Sequence, residues 1–207
     1  MEIKKRKRIA VFASGNGSNL QAILNYSKKN DINGDVVMVF SNNPEAFALK
    51  RAQKAKVNTY CVSQKKFILR EDFDKEILKI VKKENIDFIC LAGYMLLLSS
   101  NFINEYKNRI INIHPSLLPS FKGMHGIKDA YDYGVKITGV TVHFVDDKLD
   151  NGPIIMQKPV KIFDNESVED LEKRIHKVEH VIYPKSVEYF CKGKLVIKGR
   201  KVLILEN

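Results

Sequence analysis

The stretch Arg8-Ile-Ala-Val-Phe-Ala13-Ser-Gly-Asn-Gly-Ser-Asn19-Leu-Gln-Ala-Ile-Leu24 decides the fold. Arg8 to Ala13 is a short apolar run, Ser14 to Asn19 supplies glycine and small polar residues, and Leu20, Ile23 and Leu24 recur at helical spacing. Strand, loop and helix in that order expose backbone N–H groups at a helix N-terminus, where the helix dipole also favours an anion. The loop Gly15 to Asn19 therefore suits a phosphate. No Lys-Ser/Thr pair follows, so it is not a Walker loop, and Leu20 stands where a dinucleotide fingerprint has its third glycine. The next strand ends in Ser41-Asn42-Asn43, with no acid for an adenosine ribose, so a phosphorylated small molecule fits better than NAD. The competing reading is a tight turn with a helix cap at Ser18.

The same alternation continues outward. Val36 to Phe40 reads as a second strand, Pro44 to Lys56 as a helix with proline near its first turn, and Val57 to Val62 as a third strand. Phe73, Ile77, Ile80 and Val81 form an apolar stripe on a helix from about Glu71 to Glu84, followed by a buried strand over Phe88 to Ala92. A short helix near Ser99 to Tyr106 leads to a strand, Ile110 to Ile113, closed by His114-Pro115. Val140 to Val145 and Pro153 to Val160 read as strands flanking a polar turn. Ser167 to Cys191 reads as a helix that Pro184 should kink or interrupt, and Leu195 to Leu205 as a terminal hairpin. The implied class is α/β, with a mostly parallel central sheet and antiparallel strands toward the C-terminus. One domain over residues 1–207 is expected, with residues 1–8 as a basic N-terminal tail.

Of 207 residues, 44% are hydrophobic and 29% charged, which excludes a disordered chain, and the apolar runs are too short to span a bilayer. The net charge of +11 could serve nucleic acid, an acidic membrane surface or a polyanionic substrate. Part of it is the tail Lys4, Lys5, Arg6, Lys7, Arg8, and the rest is lysine scattered along helical faces without interleaved aromatics, so no nucleic-acid or membrane partner is expected. The apolar run after that tail stops at Ser14, shorter than a signal-peptide core, so a cytoplasmic location is expected. Cys61, Cys90 and Cys191 are too far apart for a zinc knuckle and are read as filling apolar space.

Asn112 and His114 stand two apart at a strand end, so their side chains leave the same face and can act on one atom. An amide donor beside an imidazole suits stabilisation of an oxyanion with proton transfer, as in acyl transfer to an amine. A nearby carboxylate would favour the charged imidazole, and the turn Asp146-Asp147-Lys148-Leu149-Asp150-Asn151-Gly152 offers candidates. A strand-end histidine can also be purely structural. The turn fails EF-hand spacing, because its third position is Lys148 and its sixth Asn151. His143, between Val142 and Phe144, reads as packing. His176-Lys-Val-Glu-His180 matches the inverted zinc-peptidase pattern, but a third ligand would have to come from Glu188, Glu206 or a distant segment, so no metal is expected.

Taken together, these residues resemble the phosphoribosylglycinamide formyltransferase family. The similar segments are Ser14-Gly-Asn-Gly-Ser-Asn-Leu-Gln-Ala-Ile23, Phe40-Ser-Asn-Asn43, Leu91-Ala-Gly-Tyr-Met95, Ile111-Asn-Ile-His-Pro-Ser-Leu-Leu-Pro119, and Val142-His-Phe-Val145 through Leu149-Asp-Asn-Gly-Pro153. The resemblance implies a Rossmann-like formyltransferase fold with helices on both faces of the sheet. It implies glycinamide ribonucleotide as acceptor and 10-formyltetrahydrofolate as formyl donor, in de novo purine biosynthesis, with no metal. It carries Asn112, His114 and Asp150 into catalysis, Gly17, Ser18 and Asn19 into phosphate binding, and Glu179 into contact with the acceptor ribose. For the folate it nominates Arg70, Met95, Leu96, Leu97, Leu98, Asn112, Asp146, Asp147 and Asp150. A monomer or weak homodimer is expected. Phe121-Lys-Gly-Met-His125 departs from the commoner family form, which has proline before that glycine and a second histidine after His125.

Methionyl-tRNA formyltransferase and formyltetrahydrofolate hydrolase are the nearest alternatives, expected to carry an added C-terminal and N-terminal domain respectively. A basic nucleic-acid-binding module and a zinc peptidase are alternatives of other classes.

Overall fold

A computed structural model describes residues 5–205. The first half alternates β1 (Lys7–Phe12), α1 (Ser18–Lys29), β2 (Gly34–Ser41), α2 (Phe47–Lys54), β3 (Asn58–Cys61), α3 (Arg70–Lys83), β4 (Phe88–Leu91), α4 (Ser100–Glu105) and β5 (Ile110–His114). There follow α5 (Gly126–Tyr133), β6 (Ile137–Phe144), β7 (Ile154–Lys161), α6 (Val168–Cys191), β8 (Leu195–Lys198) and β9 (Lys201–Ile204). Among the described residues the strands form one nine-stranded sheet, ordered β3-β2-β1-β4-β5-β6-β7-β9-β8. Strands β1 to β5 pair in parallel, β6 runs antiparallel to both neighbours, and the β8–β9 hairpin joins β7 through the pair Ile154 and Lys201.

Alternate residues of the central strands enter two separate cores. Ile9 and Val11 pack with Leu20, Ile23, Ala52 and Tyr183 on one face, while Ala10 and Phe12 pack with Phe73, Ile77 and Phe102 on the other. Helices cover both faces, so central strands read as continuous apolar runs instead of alternating ones. The strand order reverses between β1 and β4, and ligands of open α/β sheets bind outside the carboxyl ends of the strands at such a point. The phosphate loop after β1 and the segment after β4 meet there: Ser14 Oγ donates to Asn42 Oδ1 at 2.6 Å and accepts the Met95 N–H at 2.9 Å.

Several expectations are corrected. The helix read from Pro44 begins at Phe47, with Pro44 in the preceding turn. Helix α1 is capped by Gly17 in the left-handed conformation, φ 76°, and not by Ser18, which is its first residue. Pro184 does not interrupt α6: Tyr183, Pro184 and Val187 are buried, and Ser186 Oγ bonds the Ile182 carbonyl at 2.8 Å. Cys90 and Cys191 are buried, but Cys61, ending the edge strand β3, is exposed. The basic tail is partly structured. Lys7 and Arg8 open β1, and Arg6 donates to Asp31 and Asp35, each at 2.8 Å. Lys4 and Glu206 lie outside the described residues. No helix among the described residues is long and apolar enough to cross a membrane.

Candidate active site

A cavity of about 630 Å³ opens where the two loops meet. Its walls include Gly17, Ser18 and Asn19 from the phosphate loop, Met95 to Leu98 after β4, Asn112 and His114 from β5, Asp146 to Asp150, and Glu179 from α6. Arg70 is the one nominated residue absent from this wall. It opens α3, and its Nε is buried without a partner among the described residues.

Strand β5 presents Asn112 and His114 on one face, with His114 buried. Asp150 reaches them from the turn after β6, and its backbone is in the left-handed region, φ 45°. The turn is held tightly. A Cβ on Gly152 would lie 1.8 Å from the Phe144 carbonyl oxygen, so only glycine fits beneath it. Asp146 shapes the same turn by accepting the Lys148 N–H at 3.1 Å and the Asn151 amide at 2.9 Å.

Asp150 Oδ2 accepts the Gly123 N–H at 2.8 Å and lies 3.4 Å from His114 Nδ1. Its Oδ1 lies 3.5 Å from Asn112 Nδ2 and 3.7 Å from His143 Nε2. These last three separations exceed ordinary hydrogen-bond lengths, as is common in catalytic centres that tighten around substrate. The opposite edge of His114 is engaged, because Nε2 donates to the Phe121 carbonyl at 2.8 Å. The loop that departs from the commoner family form thus reaches His114 and Asp150 through the backbone of Phe121 and Gly123, while the side chain of Lys122 donates to Asn151 Oδ1 at 3.4 Å.

Sequence reading missed His143. Its Nδ1 must donate to the Phe144 carbonyl at 2.7 Å, so Nε2 is free to accept the Asn112 amide at 3.3 Å. Burial lowers its pKa below the ordinary histidine value, which favours the neutral ring that accepts. The missed signal is register: antiparallel pairing sets Asn112 directly opposite His143.

At the phosphate-loop end, Glu179 is buried and its Oε2 accepts from Asn19 Nδ2 at 2.9 Å and His176 Nδ1 at 2.8 Å. His176 Nε2 faces Glu172 at 3.3 Å. The two histidines of the zinc-peptidase pattern stack with ring centroids 6.4 Å apart, and no group of three or more potential metal ligands occurs among the described residues. Behind the site, the Tyr183 hydroxyl lies 2.7 Å from the Leu91 carbonyl and 3.2 Å from that of Ile111, tying α6 to β4 and β5.

The family described as formyl transferase matches residues 7–187. Phosphoribosylglycinamide formyltransferase of Escherichia coli is 43% identical over 187 residues, covering 90% of this chain and 88% of that protein. The trifunctional purine biosynthetic protein adenosine-3 of Drosophila melanogaster is 42% identical over 196 residues, and the chain spans 14% of its length. The crystal structure of glycinamide ribonucleotide transformylase 1 from Symbiobacterium toebii superposes with a TM-score of 0.95 at 42% identity, covering 98% of this chain and 96% of that one. With a site of this composition at the switch point of a matching sheet, the chain belongs to the formyl transferase family.

Proposed function

We propose that this chain is a phosphoribosylglycinamide formyltransferase, moving a formyl group from 10-formyltetrahydrofolate to the amine of glycinamide ribonucleotide in de novo purine biosynthesis. The observation that carries the reading is the convergence of Asn112, His114 and Asp150 in one cavity whose far end is the phosphate loop. A formyl donor and an amine acceptor fixed by its phosphate meet at that centre.

The loop Gly17 to Asn19 holds the phosphate through backbone N–H groups, since α1 has no side-chain cap occupying them. Glu179 accepts the ribose hydroxyls. Met95 to Leu98 give the pterin an apolar wall with backbone polar groups, and the turn Asp146 to Asp150 closes over it. Arg70 takes the anionic tail of the folate. As the amine adds to the formyl carbon, Asn112 and His114 stabilise the oxyanion. Asp150 holds a proton on the Nδ1 edge of His114, from which it passes to the departing folate nitrogen as the carbon–nitrogen bond breaks. The acceptor's amine gives its proton to the His114 nitrogen thus vacated, so the enzyme ends as it began.

The activity resides in one domain acting in the cytoplasm as a monomer or weak homodimer, without metal or nucleic acid. The test is a formyl-transfer assay with a 10-formyl folate, comparing glycinamide ribonucleotide, methionyl-tRNA and water as acceptors. Transfer only to glycinamide ribonucleotide is expected. Preferential transfer to methionyl-tRNA, or release of formate alone, overturns the assignment.

A further inference from the structure

Glu179 presents a problem that the reaction alone does not resolve. It is a buried carboxylate one hydrogen bond from Asn19 of the phosphate loop, in a cavity whose acceptor carries a phosphate. Two like charges in a partly desolvated site repel, so the carboxylate opposes the ligand it is meant to orient. His176 sits against it. Its Nδ1 is 2.8 Å from Oε2 and its Nε2 3.3 Å from Glu172, so both ring nitrogens face carboxylates and each calls for an N–H.

We infer that His176 is a positioning residue for the acceptor: its imidazolium cancels the charge of Glu179 and holds Oε2, leaving Oε1 for the acceptor's hydroxyls. The inference rests on the assignment of the phosphate loop and Glu179 to the acceptor. Both hydrogen bonds from protein fall on Oε2, and the carboxylate forces the Asn19 amide to point its NH₂ inward. Asn19 Oδ1 is then a buried acceptor without a partner among the described residues. That oxygen and Glu179 Oε1 are the two acceptors left without a protein donor among those residues, as many as a pair of ribose hydroxyls can use.

The charged groups that bear on His176 are Glu179 and Glu172 of its own helix. The His180 ring stacks one turn on, burial lowers its pKa, and Arg51 of α2 acts on it in the same direction. From α1 the facing group is the neutral Asn19. The Glu179 hydrogen bond raises the His176 pKa above the ordinary histidine value, so the charge persists toward neutral pH. The part of the acceptor affinity that His176 supplies is therefore complete below that titration and is lost as pH rises through it.

Calorimetric binding of glycinamide ribonucleotide to wild type, His176→Gln and His176→Ala, across the range in which histidine titrates, tests this. Glutamine can still donate to Oε2 but carries no charge. The acceptor's own phosphate and amine titrate identically in all proteins and cancel in the ratio of affinities. Wild type should bind roughly tenfold more tightly than His176→Gln on the acid side, the two should converge on the alkaline side, and His176→Ala should be weaker than both. A wild-type to His176→Gln ratio that stays constant across pH overturns the role of His176. A parallel formyl-transfer assay separates the failures: transfer with a constant ratio sinks only this inference, and absence of transfer from wild type sinks the acceptor assignment with it. Proton NMR of the ring gives a second reading, because Glu179→Gln should shift the His176 titration to lower pH; an unmoved titration contradicts the coupling.

Discussion

Nδ1 of His114 faces Oδ2 of Asp150 at 3.4 Å, and that same oxygen is pinned by the Gly123 N–H at 2.8 Å. The carboxylate is thus oriented by the backbone of a loop before substrate arrives. Asn112→Ala, His114→Ala and Asp150→Ala should each lower kcat by about 10²- to 10³-fold, with smaller effects on acceptor binding. Because His114 and Asp150 share one task, the double variant should be little worse than the poorer single one. Steady-state kinetics of the four proteins check this, and additive losses would show that the two act separately.

Gly17 has no room for a side chain. A Cβ there would lie 2.7 Å from Ala48 Cβ and 2.8 Å from its Cα, and the residue's φ is 76°. Gly17→Ala should displace the loop from α2 and raise the acceptor KM by about tenfold, with the folate KM nearly unchanged. The reverse pattern would mean that the two substrate sites are exchanged.

Met95 to Leu98 and Asp146 to Asp150 line one cavity. Hydrogen exchange with a bound folate analogue should slow in both segments together. Protection confined to the β8–β9 hairpin would place the folate elsewhere.

His143 gives a prediction in pH. Burial lowers its folded pKa beneath the unfolded value of about 6.5, so the unfolded chain binds the proton first as pH falls. Stability from this group is complete above that unfolded value and is lost as pH drops through the folded one. Protonation also turns Nε2 from acceptor to donor against the Asn112 amide, so kcat should decline over the same acid interval. His143→Leu should flatten the stability change there, and chemical denaturation at several pH values measures it.

Glu188 gives a prediction about acid stability. Burial raises its pKa, but hydrogen bonds from Lys185, Lys192 and Tyr26 outweigh that and bring it down to about 2. A carboxylate so lowered stabilises the fold above its unfolded value and ceases to as pH falls toward the folded one. Glu188→Gln should cost on the order of 2 kcal/mol near neutral pH and much less in strong acid, as read by urea denaturation.

The legible parts of the fold were those with a strong periodic signature. The buried runs Ile9 to Phe12 and Phe88 to Leu91 and the stripe Phe73, Ile77, Val81 announce themselves because each residue enters a core. Helix α5 does not, since it buries only Gly126 and Ala130, and neither is large enough to mark a face. Asn112 and His114 were readable from their spacing along one strand. Their partnership with His143 was not, because it depends on which residues stand opposite each other across β5 and β6. The three-residue interval from His176 to Glu179 was visible, but only the structure shows the two atoms bonded beside Asn19.

The Tyr183 hydroxyl that spans the Leu91 and Ile111 carbonyls sits one helical turn beyond Glu179. It fastens the helix that carries Glu179 to the strand that leads to Met95 and the strand that carries Asn112. On the proposed assignment of acceptor and donor, the separation between amine and formyl carbon is then a dimension of the protein's frame, set with the sheet itself. Much of the entropy of aligning two reactants is surrendered once, when the chain folds, and not again at each turnover.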